Sequence, residues 1–310
     1  MKKNKYVYVF LFLFLALPAL SLFVGEYSSR DIILHLRLPR VIQALIAGFA
    51  LAFSGTLLQS VLKNPLADPF IIGTSSGAML AVILCQLAGI RQSNPVFYVL
   101  VSAGGFLATL LSYYIARIDK KILNSSMLLA GIAVNSFVSA IIMLFVIFQR
   151  DNIISFFHFT FGSFNNFNPY VIAFSSLLIF SAFAASLLLR RYMDILAFDE
   201  EKAATLGINN EKIKFVFFAL ASAATSAAVA MSGIIGFVGL IVPNIARILC
   251  GASAASLLLV SAFAGGALVV FADTLSRTVM APIELPVGII TAFLGAPFFV
   301  WLLKKEKNFR

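Results

Sequence analysis

Long apolar runs alternate with short polar breaks along nearly the whole chain. The runs cover 6–24, 38–62, 70–90, 95–115, 127–148, 169–189, 215–234, 236–249, 257–275 and 285–303. About 20 apolar residues carry a helix across the hydrocarbon core, so nine runs predict spanning helices outright. The eighth is short and contains Pro243, Asn244 and Arg247. The polar break 62–78, "LKNPLADPFIIGTSSGA", is the most chemically varied, with two prolines, two glycines, a Lys, an Asn and an Asp.

Basic residues decide the eighth run. With ten crossings and a cytoplasmic N-terminus, 17 Lys and Arg fall on one side and six on the other: Arg30, Arg37, Arg40, Arg91, Arg150 and Arg277. A basic-rich side is cytoplasmic. Without the eighth crossing, Lys304, Lys305, Lys307 and Arg310 would move outside and weaken that bias. The expectation is an all-α polytopic protein with ten transmembrane helices and both termini in the cytoplasm.

Composition agrees. Hydrophobic residues make up 61% of the 310-residue chain and charged ones 12%, against about 25% charged in a soluble domain. The net charge of +10 sets orientation and gives no nucleic-acid footprint, since no basic patch is interleaved with aromatics. Cys85 and Cys250 have neither disulfide nor metal spacing. The N-terminal apolar run exceeds the length of a signal h-region and lacks a small-residue cleavage site, so it reads as the first helix.

An internal repeat appears at an offset of 178. Between 50–75 and 228–253, eight of 26 positions agree, including Gly55 with Gly233, Pro65 with Pro243 and Gly73 with Gly251; composition alone gives roughly two. In the ten-span map the copies run in opposite directions, an arrangement typical of transporters. One domain over 1–310 is expected, with halves at 38–150 and 214–303 joined through a cytoplasmic segment at 190–213.

The pentapeptide Gly73–Gly77, "GTSSG", also fits the G-x-S-x-G elbow of hydrolases. Its serine would need a base within hydrogen-bond reach. The two histidines, His35 and His158, map to the opposite side of the membrane, so small-residue helix packing explains these positions better.

The stretch "RLPRVIQALIAGFALAFSGTLLQSVLKNPLADPFIIGTSSGA", with "SGIIGFVGLIVPNIAR", "FADTLSR" and "ELPVGIITAFLGAPFFVWLL", resembles the permease subunits of ABC importers for iron–siderophores, haem and cobalamin. The resemblance runs from Arg37 to Leu303. It implies the ten-helix fold of a type II importer permease, working as a homodimer with two cytoplasmic ATPases and an extracytoplasmic substrate-binding protein. It departs from the family at Asn244, where a His is usual, and at "GASAAS", where a charged pair often follows the Gly.

Within 190–213, Asp199 is a natural N-cap, Glu200 and Glu201 suit the positive end of a helix, and Gly207 suits its stop. This predicts a helix of about two turns, including Ala203, Ala204 and Leu206. The resemblance makes it the ATPase-coupling helix; a solvated linker is the plain alternative. The resemblance also implies that Arg37, Arg40 and Arg277 face acidic residues of the binding protein, with Glu284 in the same outer network. Arg277 lies one turn after Asp273, so an ordinary i,i+4 pair is a second role for it. Asn135 and Ser139 share a face of the fifth helix, where pathway lining and interhelical hydrogen bonding are both open. Gly48, Gly55, Asn64, Pro65, Gly73, Gly77, Gly233, Gly239, Pro243, Arg247, Asp273, Pro286, Gly288, Gly295 and Pro297 are expected to shape the pathway or pack its helices.

The chain has no G-x-x-x-x-G-K-[ST], so ATP and Mg²⁺ would be used by a partner chain. No cofactor or metal is expected on this one. It has no intramembrane acid–base series for a proton relay, which favours an ATPase-driven permease over a secondary transporter. Fe(III)–siderophore is named first as cargo, because it is the commonest in the resembled family.

Overall fold

A computed structural model describes residues 2–25, 29–118, 121–122, 124–148, 159–165, 167–198 and 209–307. The helices are α1 (Lys2–Ser21), α2 (Leu38–Val61), α3 (Thr74–Leu87), α4 (Pro95–Ala116), α5 (Asn124–Phe148), α6 (Pro169–Leu188), α7 (Arg190–Phe198), α8 (Asn210–Ser232), α9 (Val238–Cys250), α10 (Ala254–Thr278) and α11 (Val287–Lys307). Six are long and apolar enough to cross a membrane: α2 with its lead-in, α4, α5, α6, α8 and α10. The apolar parts of α1, α3, α9 and α11 are shorter, at 10–17 residues. All fall where the sequence places apolar runs.

Local chemistry fixes several ends. Asn94 and Asn168 each accept from the backbone N–H two residues on, with Pro at the first helical position of α4 and α6. A proline there loses no hydrogen bond that the helix could make. Gly73 precedes α3 at φ +105°, a backbone region that a side chain disfavours. This is why α3 starts at Thr74 and not at Phe70: the segment from Asp68 is folded into turns by Asp68 Oδ1, which accepts from Phe70 N at 2.8 Å.

Two elements were not expected. A lead-in of Arg30–Ile32 and a π-helical turn, Ile33–Arg37, run directly into α2. α7 is a separate short helix that buries Met193 and Leu196. Asp194 on it accepts from Ala254 N at 2.8 Å and so caps α10. The predicted helix from Asp199 to Gly207 lies outside the described residues.

Helix α2 is the centre of the bundle and is enclosed by α8, α9 and α10. Small residues let the backbones meet. A Cβ on Gly48 would overlap the Gly265 carbonyl of α10, one on Gly77 the Gly104 carbonyl of α4, and one on Gly55 the Gly239 carbonyl of α9. Beside these contacts Phe49, Phe53 and Phe183 stack edge to face, with centroids 4.7–5.8 Å apart. In a bilayer such packing, and not water exclusion, holds helices together.

Candidate functional site

Two polar clusters lie at opposite ends of α2. At its N-terminal end the π-helical turn and first helical turn present Arg37 and Arg40. The last turns of α10 present Asp273 and Arg277 at i,i+4. Arg40 Nε donates to Asp273 Oδ1 at 2.7 Å, and its Nη1 donates to Glu284 Oε2 at 2.7 Å and Asn165 Oδ1 at 2.9 Å. Arg277 Nε lies 3.3 Å from Asp273 Oδ2. Neither of these two atoms finds hydrogen-bond geometry, so they pair by charge alone. Arg37 Nη1 donates to the Leu22 carbonyl at 2.8 Å, and Arg277 Nη2 to the Ser21 carbonyl at 3.4 Å.

The Asp273 side chain is 1% exposed and the Arg40 side chain 10%, whereas Glu284 is 44% exposed. A charge that far from water needs a partner, which explains why Asp273 sits between two guanidiniums. A cavity of about 860 Å³ opens over the cluster, with Arg37, Arg40, Arg277, Asn165 and Glu284 in its wall beside Phe164, Phe167 and Pro282. The structure therefore gathers all four predicted outer residues around one cavity. Arg37 and Arg40 are buried, and Arg277 shares Asp273 with Arg40.

At the other end, the polar stretch 62–78 is tied to α9, α5 and α4, and Gln59 just before it ties α2 to α9. Gln59 on α2 donates to the carbonyls of Gly239 at 3.1 Å and Leu240 at 3.4 Å. Asn244 on α9 donates to Pro65 O at 2.9 Å. Asn135 on α5 donates to Phe70 O and Ile71 O at 2.9 Å each. The Thr74 hydroxyl meets Thr109 of α4 at 2.8 Å. Asn64 accepts from Leu66 N and holds the turn at Pro65. Burial pushes the Asp68 carboxyl up to about 6, with only the Phe70 N–H opposing.

The pathway candidates therefore divide. Asn135 is engaged with the loop and does the bonding work, while Ser139 is exposed further along α5. Gly233 closes α8 at φ +71°, and Pro243 and Arg247 lie within α9. Pro286 and Gly288 sit at the start of α11, where Gly288 abuts the carbonyls of Phe161 and Ile234. Gly295 packs on Phe237, and Pro297 is inside α11. Gly77 is committed to α4, which accounts for the second glycine of "GTSSG". Among the described residues no group of three or more His, Cys, Asp and Glu could hold a metal ion.

Sequence reasoning missed the Arg40–Asp273 pair, because its partners are 233 residues apart. It also missed Gln59, and took Asn244 only as a departure from the resembled family. The one available signal for those was an amide side chain on an otherwise apolar helix face.

A bundle of apolar helices with buried ion pairs at one end and a pinned loop at the other is the build of a multi-pass membrane protein. Residues 8–305 match the model of the FecCD transport family. A probable iron chelatin transport system permease protein of Helicobacter pylori is 38% identical over 91% of this chain and 86% of its own. The hemin transport system permease protein HmuU of Yersinia pestis is 37% identical over 89% and 84%. A solved metal-chelate type ABC transporter in an inward-facing conformation aligns with a TM-score of 0.89 at 28% identity, covering 97% of this chain and 99% of that one. The chain belongs to the FecCD transport family.

Proposed function

We propose that the chain is the membrane permease of an ABC importer that carries Fe(III)–siderophore complexes into the cytoplasm. The observation that carries the reading is the near-complete match to a metal-chelate type transporter, joined by an iron chelatin permease among the relatives. Haem is the second cargo, favoured by the HmuU relative, and cobalamin the third, favoured by a cobalamin import permease of Halobacterium salinarum.

In this reading all ten apolar helices cross the membrane with both termini inside, as the 17-to-6 division of Lys and Arg supports. The Arg37–Arg40–Arg277 end is then outside and receives the acidic lobes of a binding protein. The 62–78 loop is inside, on the same side of the membrane as the coupling segment with Asp199, Glu200, Glu201, Ala203, Ala204, Leu206 and Gly207. A second, identical permease chain and two ATPases complete the machine, and alternating access moves the cargo along a path lined in part by Ser139. The two halves run in opposite directions.

The test is twofold. The permease is reconstituted with its ATPase and binding protein, and uptake of ⁵⁵Fe-labelled ferric siderophores, haem and cobalamin is measured with and without ATP. ATP-dependent uptake of a ferric siderophore above the other two supports the reading. Exclusive uptake of haem or cobalamin overturns the cargo, and uptake without ATP overturns the importer. Cysteine labelling must also place residues 37 and 205 on opposite faces.

A further inference from the structure

Arg40 poses a problem for any acidic partner. The residue is 9% exposed, and its Nε and Nη1 are already engaged by Asp273, Asn165 and Glu284. The two carboxylates differ sharply. Asp273 is sealed in the bundle at 1% exposure and also serves Arg277, whereas Glu284 approaches from the rim at 44%. A pair open to water is held weakly, and a buried one is costly to break. Only the rim carboxylate can leave.

We propose that Glu284 holds on Arg40 the place that an acidic side chain of the docking protein takes, so that docking exchanges one carboxylate for another. The proposal rests on the docking reading above. The cavity of about 860 Å³ beside Arg40 provides the approach. Exchange keeps the charge count constant: Arg40 faces Asp273 and one further carboxylate before docking and after it. Its guanidinium loses no counter-charge at either completed stage, which avoids the main cost of entering a buried ion cluster.

The exchange also has a mechanical consequence. Glu284 belongs to the turn between α10 and α11, where Leu285 N donates to Ser276 O at 3.0 Å and Val287 N to Gly162 O at 3.2 Å. Ile234 N in turn donates to Phe159 O at 2.9 Å, and Ser163 N to Ser232 O at 2.9 Å. Asn165, on the same segment as Gly162, shares Arg40 Nη1 with Glu284. Arg40 thus clasps two of the three strands of chain that meet there. Removing Glu284 from it loosens the turn that leads into α11, and docking outside is felt at the 159–165 and 233–234 segments.

The experiment compares wild type with Glu284→Gln in the complete permease–ATPase assembly in nanodiscs, titrated with the binding protein. The amide keeps the length and removes the competing charge. Docking is expected to tighten about two- to fivefold at low salt, with the gain shrinking as ionic strength rises. A second measurement has an arm that does not depend on the partner. A spin label on a cysteine replacing Ile283, which is 65% exposed, gains mobility in the E284Q background alone, and in the wild-type background only after the binding protein is added. Cys85 and Cys250 are buried and stay unlabelled. Equal or weaker docking by E284Q, or a label indifferent to the substitution, overturns the exchange. Wild-type docking that ignores ionic strength overturns the docking reading itself and the exchange with it. Salt-sensitive docking that E284Q fails to tighten overturns the exchange alone.

Discussion

Gly55→Ala tests whether contact between α2 and α9 organises the bundle. A Cβ at residue 55 would sit 2.6 Å from the Gly239 carbonyl carbon and 2.7 Å from its Cα, and would overlap the carbonyl oxygen. Carbon atoms settle at about 3.5–4.0 Å, and all the obstructing atoms are backbone, so the helices must part by about 1 Å. Overpacking of that kind costs about 1–3 kcal/mol. The separation also breaks the bond from Gln59 to Gly239 O, now 3.1 Å, and stranding a buried amide adds about 1–3 kcal/mol. Alanine returns about 1 kcal/mol through helix propensity, leaving a net loss of about 1–5 kcal/mol. Reversible unfolding in SDS-containing mixed micelles, followed by far-ultraviolet circular dichroism, measures it. Gly236→Ala is the control, since nothing lies within 4 Å of its Cβ position, and it should stay within about 0.5 kcal/mol of wild type. Wild-type stability in G55A, or equal losses in both variants, refutes the argument.

Three further outcomes are expected. The Asp68 carboxyl stands near 6 in the folded chain against 3.8 in the unfolded one, so the folded state holds the proton more tightly. Its contribution is complete below about pH 4, is lost between about pH 4 and 6, and at pH 8 amounts to a penalty of about 3 kcal/mol; Asp68→Asn keeps the acceptor for Phe70 N, flattens that slope and is more stable than wild type at pH 8 in unfolding titrations. Asn135→Ala removes two bonds to the 70–71 carbonyls, costs about 2 kcal/mol at about 1 kcal/mol each, and speeds hydrogen exchange at Gly73, whereas unchanged exchange there would show that α5 does not hold the loop. Asp273→Ala takes the carboxylate from Arg277 and leaves Arg40 with Glu284 alone; it lowers stability by about 3–5 kcal/mol, measured by the same unfolding assay, and a loss under 1 kcal/mol would show that water already reaches the cluster.

How much of this was legible depends on the range of the interaction. Hydropathy placed 95–115 and 169–189, and the helices run Pro95–Ala116 and Pro169–Leu188, because each begins at an Asn–Pro pair whose capping chemistry is local. Phe70 was assigned to a helix because it is apolar, yet three residues of turn geometry intervene before Thr74. α7 escaped notice because its buried face amounts to Met193 and Leu196, too few positions for a period to show. Glycines could be marked as contact points, but nothing local says that Gly48 meets Gly265 or that Gly55 meets Gly239. The offset of 178 illustrates the same limit. It pairs Gly73 with Gly251, both at positive φ, but it also pairs Gly55, inside α2, with Gly233, at the end of α8.

The placement of the two polar clusters along α2 constrains how the molecule can work. Arg40 and Gln59 are 19 residues apart on one helix, about 28 Å at 1.5 Å per residue. The Arg40 cluster ties α2 to α10 through Asp273, and Gln59 ties it to α9 through the Gly239 carbonyl. Between them the Gly48–Gly265 contact leaves no side chain to slide past another. A helix pinned at both ends and in backbone contact midway moves with its neighbours as one body. Relative motion must then fall on elements held by fewer such contacts. α5 and α6 are each about a quarter buried over their apolar windows, at 28%, where α2 reaches 89%. α5 is also the helix whose Asn135 grips the 70–71 turn. A displacement of α5 would therefore reach that turn directly while the α2–α9–α10 body stays intact.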